Sequence, residues 1–159
     1  MALPSPVIRE AQPKDIEQAA DLVVRLKRLN EEFDSMLKVH SDAIDHARKY
    51  LQEAIQSQRS VVLVADAKGK IVGLVKGDLK DRPFYEPAIE GSIIEFYVLP
   101  EYRRRKLGDE LINEAIVKLR KKGAQIITAE FPTQNMIAVN FYNKLGFRPM
   151  FGIYGKSVD

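Results

Sequence analysis

The sequence predicts an α+β fold, a single domain over residues 1–159 built on a mixed sheet. Three observations carry this. Two β-branched runs, Val61 to Ala65 and Ile71 to Val75, flank the glycine-containing turn Asp66-Ala67-Lys68-Gly69-Lys70, a hairpin signal. Three other stretches, beginning near Ile16, Ala43 and Leu107, repeat apolar residues at helical spacing. A chain of 159 residues with 45% hydrophobic content is enough for one core.

Taken in order, Pro6 to Glu10 reads as a short first strand centred on Val7 and Ile8. Pro13 suits a helix start, with Asp15 and Glu17 in the first turn. Ile16, Ala19, Ala20, Val23, Val24 and Leu26 supply its apolar face. Leu29 to Lys38 fits either a continuation of that helix or a second short one carrying Phe33, Met36 and Leu37. Ser41 reads as the N-cap of the next helix, whose stripe includes Ala43, Ala47, Tyr50, Leu51 and Ala54. After the hairpin, Lys80 to Pro87 is a loop and Ile89 to Val98 a strand. A helix follows from about Leu107 to Lys122, stopped by Gly123, with Lys118, Arg120, Lys121 and Lys122 where cations suit the helix dipole. Gln125 to Phe131 is a strand ended by Pro132, Asn135 to Leu145 a short helix stopped at Gly146, and Phe147 to Ser157 a final strand.

Composition narrows the function classes. The chain has no cysteine, which removes disulfides, thiolate metal sites and a covalent cysteine intermediate. His40 and His46 are six apart and do not form an i, i+4 metal pair on one helix, so no metal site is expected. The net charge of +3 does not by itself imply nucleic acid. No apolar run is long enough for a membrane span, and the first ten residues lack a secretory pattern, so a cytoplasmic location is expected.

The segment from Val98 to Leu111 carries the most chemistry. An apolar strand runs into Pro100, then into the cationic turn Arg103-Arg104-Arg105-Lys106, and then directly into a helix. A helix start exposes unpaired N–H groups and the positive end of the dipole. Cations there make sense if a strong anion such as a pyrophosphate sits on the turn. Arg103-Arg104-Arg105-Lys106-Leu107-Gly108 resembles the acyl-CoA pyrophosphate loop R/Q-x-x-G-x-G/A of the GNAT superfamily of N-acetyltransferases, with Lys106 in place of the middle glycine. Asn135 to Phe147 resembles the same family's N-x-x-A-x-x-F-Y-x-K-L-G-F block, and the order of elements matches from end to end.

The resemblance implies a three-layer α/β/α domain with a mixed, mostly antiparallel sheet of six to seven strands and helices on both faces. It implies acetyl-CoA as co-substrate, an amine acceptor, no metal, and direct transfer in a ternary complex. Backbone N–H groups from Arg104 to Asp109, among them those of Arg105, Lys106, Leu107 and Gly108, form the anion nest, with Arg103 beside it. The pantetheine arm pairs with main chain at Phe96, Tyr97 and Val98, which requires strands 92–98 and 125–131 to part. Tyr142 matches the family's usual general acid and Asn135 a residue that contacts CoA. Glu130 matches a general base of some protein N-terminal acetyltransferases; Glu95, a second carboxylate on the adjacent strand, either substitutes as base or binds the cationic acceptor.

Each residue also has a plainer role. Asn135 suits an N-cap, Tyr142 a core aromatic, Glu130 a surface carboxylate, and the basic turn a solvated loop. Glu31, Glu32 and Asp34 either recruit a cationic amine or form an exposed acidic face. Two rival functions stay open: an acyl-CoA-binding sensor without turnover, and a nucleic-acid-binding module, although no nucleic-acid or membrane partner is expected. The final strand is free to pair across a two-fold axis as a homodimer.

Overall fold

The computed structural model describes residues 3–103 and 105–159. The elements run β1 (Val7–Glu10), α1 (Ile16–Phe33), α2 (Ala43–Gln56), β2 (Ser60–Ala67), β3 (Lys70–Asp81), β4 (Ile89–Val98), α3 (Leu107–Lys121), β5 (Ile126–Ala129) and α4 (Met136–Lys144). The strands lie in sequence order, antiparallel from β1 to β4, with β5 parallel to β4.

Neighbouring residues of β3 show how the layers form. Lys76 lies beneath the Tyr50 ring of α2, 4.4 Å from its centroid. Gly77, pointing the opposite way, lies beneath α3 so closely that a Cβ would come within 2.9 Å of Leu119 Cδ1. Gly73 meets Leu111 of α3 at the same separation. The missing side chains let α3 sit directly on the sheet, while α1 and α2 cover the other face. Val64, Val72, Leu74 and Val75 are fully buried between these layers, which explains why the hairpin reads as continuous apolar runs rather than as alternation. Arg9 of β1 clamps the first turn by two hydrogen bonds to the Asp15 carboxylate, at 2.7 and 2.9 Å.

Several expectations are corrected. The sheet has five strands among the described residues, not six to seven. Phe147 to Ser157 forms no strand. Its side chains from Met150 onward are exposed, with Tyr154 99% accessible. A strand needs a ladder partner, and Gly152 and Gly155 weaken an already unpaired segment. β5 is shorter than Gln125 to Phe131, and Phe131 leaves the sheet to stack on Tyr142 at 5.1 Å. Ser41 is not the cap of α2; Asp42 is, with no side-chain cap bond. The ambiguous stretch after Leu29 resolves as the end of α1 at Phe33, followed by a single 3-10 turn, Ser35–Leu37.

Candidate active site

The basic turn sits where β4 hands over to α3. A 3-10 turn, Pro100–Tyr102, is followed by Arg103, whose Nε donates to the Val98 carbonyl at 2.8 Å and whose guanidinium stacks over the Tyr97 ring. Arg103 therefore braces the end of β4. Arg104 lies outside the described residues. Arg105 stacks over Tyr102, and Lys106 is exposed. Lys106 is the N-cap of α3 and has φ 59°, in the left-handed region, and its own side chain makes no cap bond. A left-handed turn is one that glycine adopts freely and other residues at a cost of roughly 1–2 kcal/mol. The helix start stays aimed by the buried Leu107, Leu111 and Ile112. The first turn of a helix leaves its N–H groups without intrahelical partners, and at Gly108 that turn lies close to Phe96 of β4, where a Cβ would be 3.2 Å from the ring.

β4 and β5 separate beyond Ile93 and Ala129. Their pairing runs from Glu90/Ile126 to Ile93/Ala129 and ends with the Glu130 N–H donating to the Ile93 carbonyl at 3.0 Å. On the β3 side the register slips by one residue there, since Gly77 pairs with Ile93 and Lys76 with Glu95. Main chain at Phe96, Tyr97 and Val98 then has no strand on its β5 side among the described residues. Four rings line this parting: Phe96 stacks with Phe141 at 5.3 Å, Phe141 meets Tyr142 edge-on, and Tyr142 stacks on Phe131. α4 is thus a wedge holding two strands apart. Asn135 starts it, its side-chain oxygen accepting from the Ala138 N–H at 3.1 Å. The Tyr142 hydroxyl has no hydrogen-bond partner among the described residues, and burial pushes its pKa up.

On the other face, α1, the 3-10 turn, α2 and β4 enclose a cleft of about 800 Å³. Glu95 forms its floor. The carboxylate is buried and held from both sides: Lys27 Nζ donates to Oε1 at 2.5 Å and the Tyr50 hydroxyl to Oε2 at 2.7 Å. Burial, and then the neighbouring Glu95 charge, push the Tyr50 pKa up. Asn30, also lining the cleft, has a buried side-chain oxygen with no partner among the described residues. The sequence reading places Tyr50 only in the apolar stripe of α2 and gives Lys27 no role. The available signal was a lysine at i+4 from Val23 and i+3 from Val24, on the buried side of its helix.

The remaining candidates are elsewhere or otherwise engaged. Glu130 is exposed and paired with Lys80 at 3.1 Å. Glu31 accepts from the Val39 N–H and Asp34 from the Met36 N–H, so two of the three acidic residues shape the turn at the cleft mouth. His40 precedes α2 and folds back, so that His40, Asp42 and His46, all exposed, bring ligand-type atoms within 4.8 Å of one another. The His40 Nδ1 already accepts from the Asp42 N–H. No helix among the described residues is long and apolar enough to cross a membrane.

The family model described as the acetyltransferase (GNAT) family matches residues 26–147. An uncharacterised N-acetyltransferase of Methanocaldococcus jannaschii is 33% identical over 101 residues, a match covering 64% of this chain and 45% of that protein. The chain thus spans about half the length of that relative. An N-alpha-acetyltransferase of Sulfurisphaera tokodaii is 25% identical over 135 residues, 79% of each chain. Among solved structures, an aminoglycoside N-acetyltransferase, AAC(6')-Iy in complex with CoA, superposes with a TM-score of 0.77 at 16% identity, over 99% of this chain and 97% of the other.

Proposed function

The chain belongs to the GNAT family of acetyltransferases, and on that premise we propose that it transfers an acetyl group from acetyl-CoA to a primary amine by direct attack in a ternary complex. One observation carries the reading. Among the described residues, the edge of β4 at Phe96 to Val98 has no strand on its β5 side and adjoins the N-terminus of α3, so an amide-bearing arm and a diphosphate have adjoining places to bind. The names of the two archaeal relatives and the CoA bound to the aminoglycoside enzyme point to the same chemistry.

In this reading the N–H groups at the start of α3 hold the diphosphate, with Lys106 and Arg105 adding charge. A main-chain N–H at Phe96 to Val98 polarises the thioester carbonyl as the amine attacks. The amine enters from the cleft between α1 and α2. Glu95 on its floor takes the amine's proton, and Tyr142 in the wedge donates to the leaving thiolate. Burial favours Glu95 over the exposed, Lys80-paired Glu130 for the first role. Two copies associate through the exposed apolar segment 150–158, since such a patch favours a partner. A purely monomeric sedimentation profile at high protein concentration would remove that part.

Acetyl-CoA at about 100 times its Kd should stabilise the fold by about 2.7 kcal/mol, a rise of roughly 5–10 °C in Tm for a chain of this size. Thiol release should then follow with at least one member of an amine panel spanning polyamines, aminoglycosides, amino acids and peptides. An unchanged melting curve refutes the proposal. Stabilisation without turnover on any amine converts it to an acyl-CoA sensor.

A further inference from the structure

We propose that Lys27 is itself an acetyl acceptor: the chain acetylates its own ε-amine at the floor of the acceptor cleft. The inference rests on the reading of Glu95 as the base. The Lys27 side chain reaches from α1 into the cleft and sets its Nζ 2.5 Å from Glu95 Oε1, where an acceptor ammonium must give up its proton. It remains 41% exposed, so the amine can leave the carboxylate and advance.

A second lysine shows that proximity alone is not the criterion. Lys76 is beside the same site, yet it is 3% exposed, sealed under the Tyr50 ring and held at 2.8 Å by both oxygens of Asp78. It has no path to a thioester. Of the two lysines facing Tyr50 and Glu95, only Lys27 opens to the cleft.

The step balances without a further reactant. Glu95 takes one proton from the Lys27 ammonium, and the freed amine attacks the thioester carbonyl carbon. A C–N bond forms and the C–S bond breaks. A second proton from nitrogen is lost, and the thiolate is protonated by Tyr142. The products are Nε-acetyl-Lys27, free CoA and one net proton. The acetyl group removes the positive charge from Glu95 and leaves that carboxylate to the ammonium of an external acceptor.

The test is peptide mass spectrometry of the folded chain incubated with acetyl-CoA. Lys27 should gain one acetyl group at least about tenfold faster than the exposed Lys68 and Lys121, because it is held beside the reacting groups, while Lys76 stays unmodified. The rate constant should not change with protein concentration. Lys27→Arg, which keeps the ion pair, should abolish the fast modification, and Glu95→Gln should reduce Lys27 to the rate of the surface lysines. Lys27 reacting no faster than Lys68 and Lys121, or reacting at the wild-type rate in Glu95→Gln, overturns the inference. The thermal shift with acetyl-CoA and the amine panel, run on the same preparation, separate the two failures. If both succeed while Lys27 stays unmodified, only this inference falls; if neither succeeds, the acetyltransferase reading falls with it.

Discussion

Tyr142→Phe should lower kcat for acetyl transfer by roughly 10²–10⁴-fold, the usual range for loss of a positioned proton donor, while leaving stabilisation by acetyl-CoA nearly intact. The substitution removes one oxygen and keeps the ring. That ring stacks on Phe131 and meets Phe141 and Phe147 edge-on at 5.1–5.2 Å, so the wedge between β4 and β5 survives. The hydroxyl makes no hydrogen bond among the described residues, so its loss strands no buried partner, and the fold should change by less than about 1 kcal/mol. Tyr142→Ala is the contrasting control. It empties the wedge and should cost about 3–5 kcal/mol, with CoA binding lost as well. The pH dependence follows from burial, which penalises the phenolate and pushes the pKa above the ordinary value of about 10. The donor form is therefore the populated form at every pH below that value, and no alkaline loss of activity should come from this residue there. A Tyr142→Phe enzyme with wild-type kcat would reduce the tyrosine to packing.

The parts of this molecule that the sequence made legible are those set by local chemistry. The hairpin turn is written in Asp66 to Lys70, the stop of β4 in Pro100, and the start of α4 in Asn135, whose side chain caps it. Each signal acts within four residues. Even the gap between β4 and β5 has a local mark, in the two prolines just beyond the strands. What stayed hidden depends on distant partners. Lys27 and Tyr50 meet Glu95 across 68 and 45 residues of chain, and neither residue type announces such a meeting. Lys106 reads as a missing glycine and an added charge; only its φ of 59° shows that the position asks for a left-handed turn. The segment after Phe147 has the apolar content of a strand, but strand content does not create a pairing edge. The acidic run Glu31, Glu32, Asp34 fits two readings, an amine-recruiting patch or an exposed acidic face; the structure adds that Glu31 and Asp34 accept from nearby backbone N–H groups, bonds that no composition announces.

Glu95→Gln should also cost kcat roughly 10²-fold or more at neutral pH, while Glu130→Gln should cost less than about threefold. The asymmetry comes from where the two carboxylates stand. Glu130 is more than half exposed and shares its charge with Lys80, so water can replace whatever it does. Glu95 is 4% exposed, on the floor of the cleft, with one oxygen on an ammonium and the other on a phenol. Glutamine keeps the volume and still accepts from the Tyr50 hydroxyl, and Lys27 can turn its ammonium back to water. The fold should therefore lose only about 1–2 kcal/mol, read as a shift in denaturant midpoint at unchanged slope. Glu95→Ala, by contrast, opens a cavity under both helices and strands the half-buried Tyr50 phenol. It should cost about 3 kcal/mol or more, so activity lost in that variant says nothing of a base. The glutamine variant separates the two contributions because it keeps the packing while removing the proton acceptor. If Glu130→Gln takes the larger loss in kcat while Glu95→Gln loses only stability, then the buried carboxylate is a tie between two helices and the strand, and the exposed one is the base.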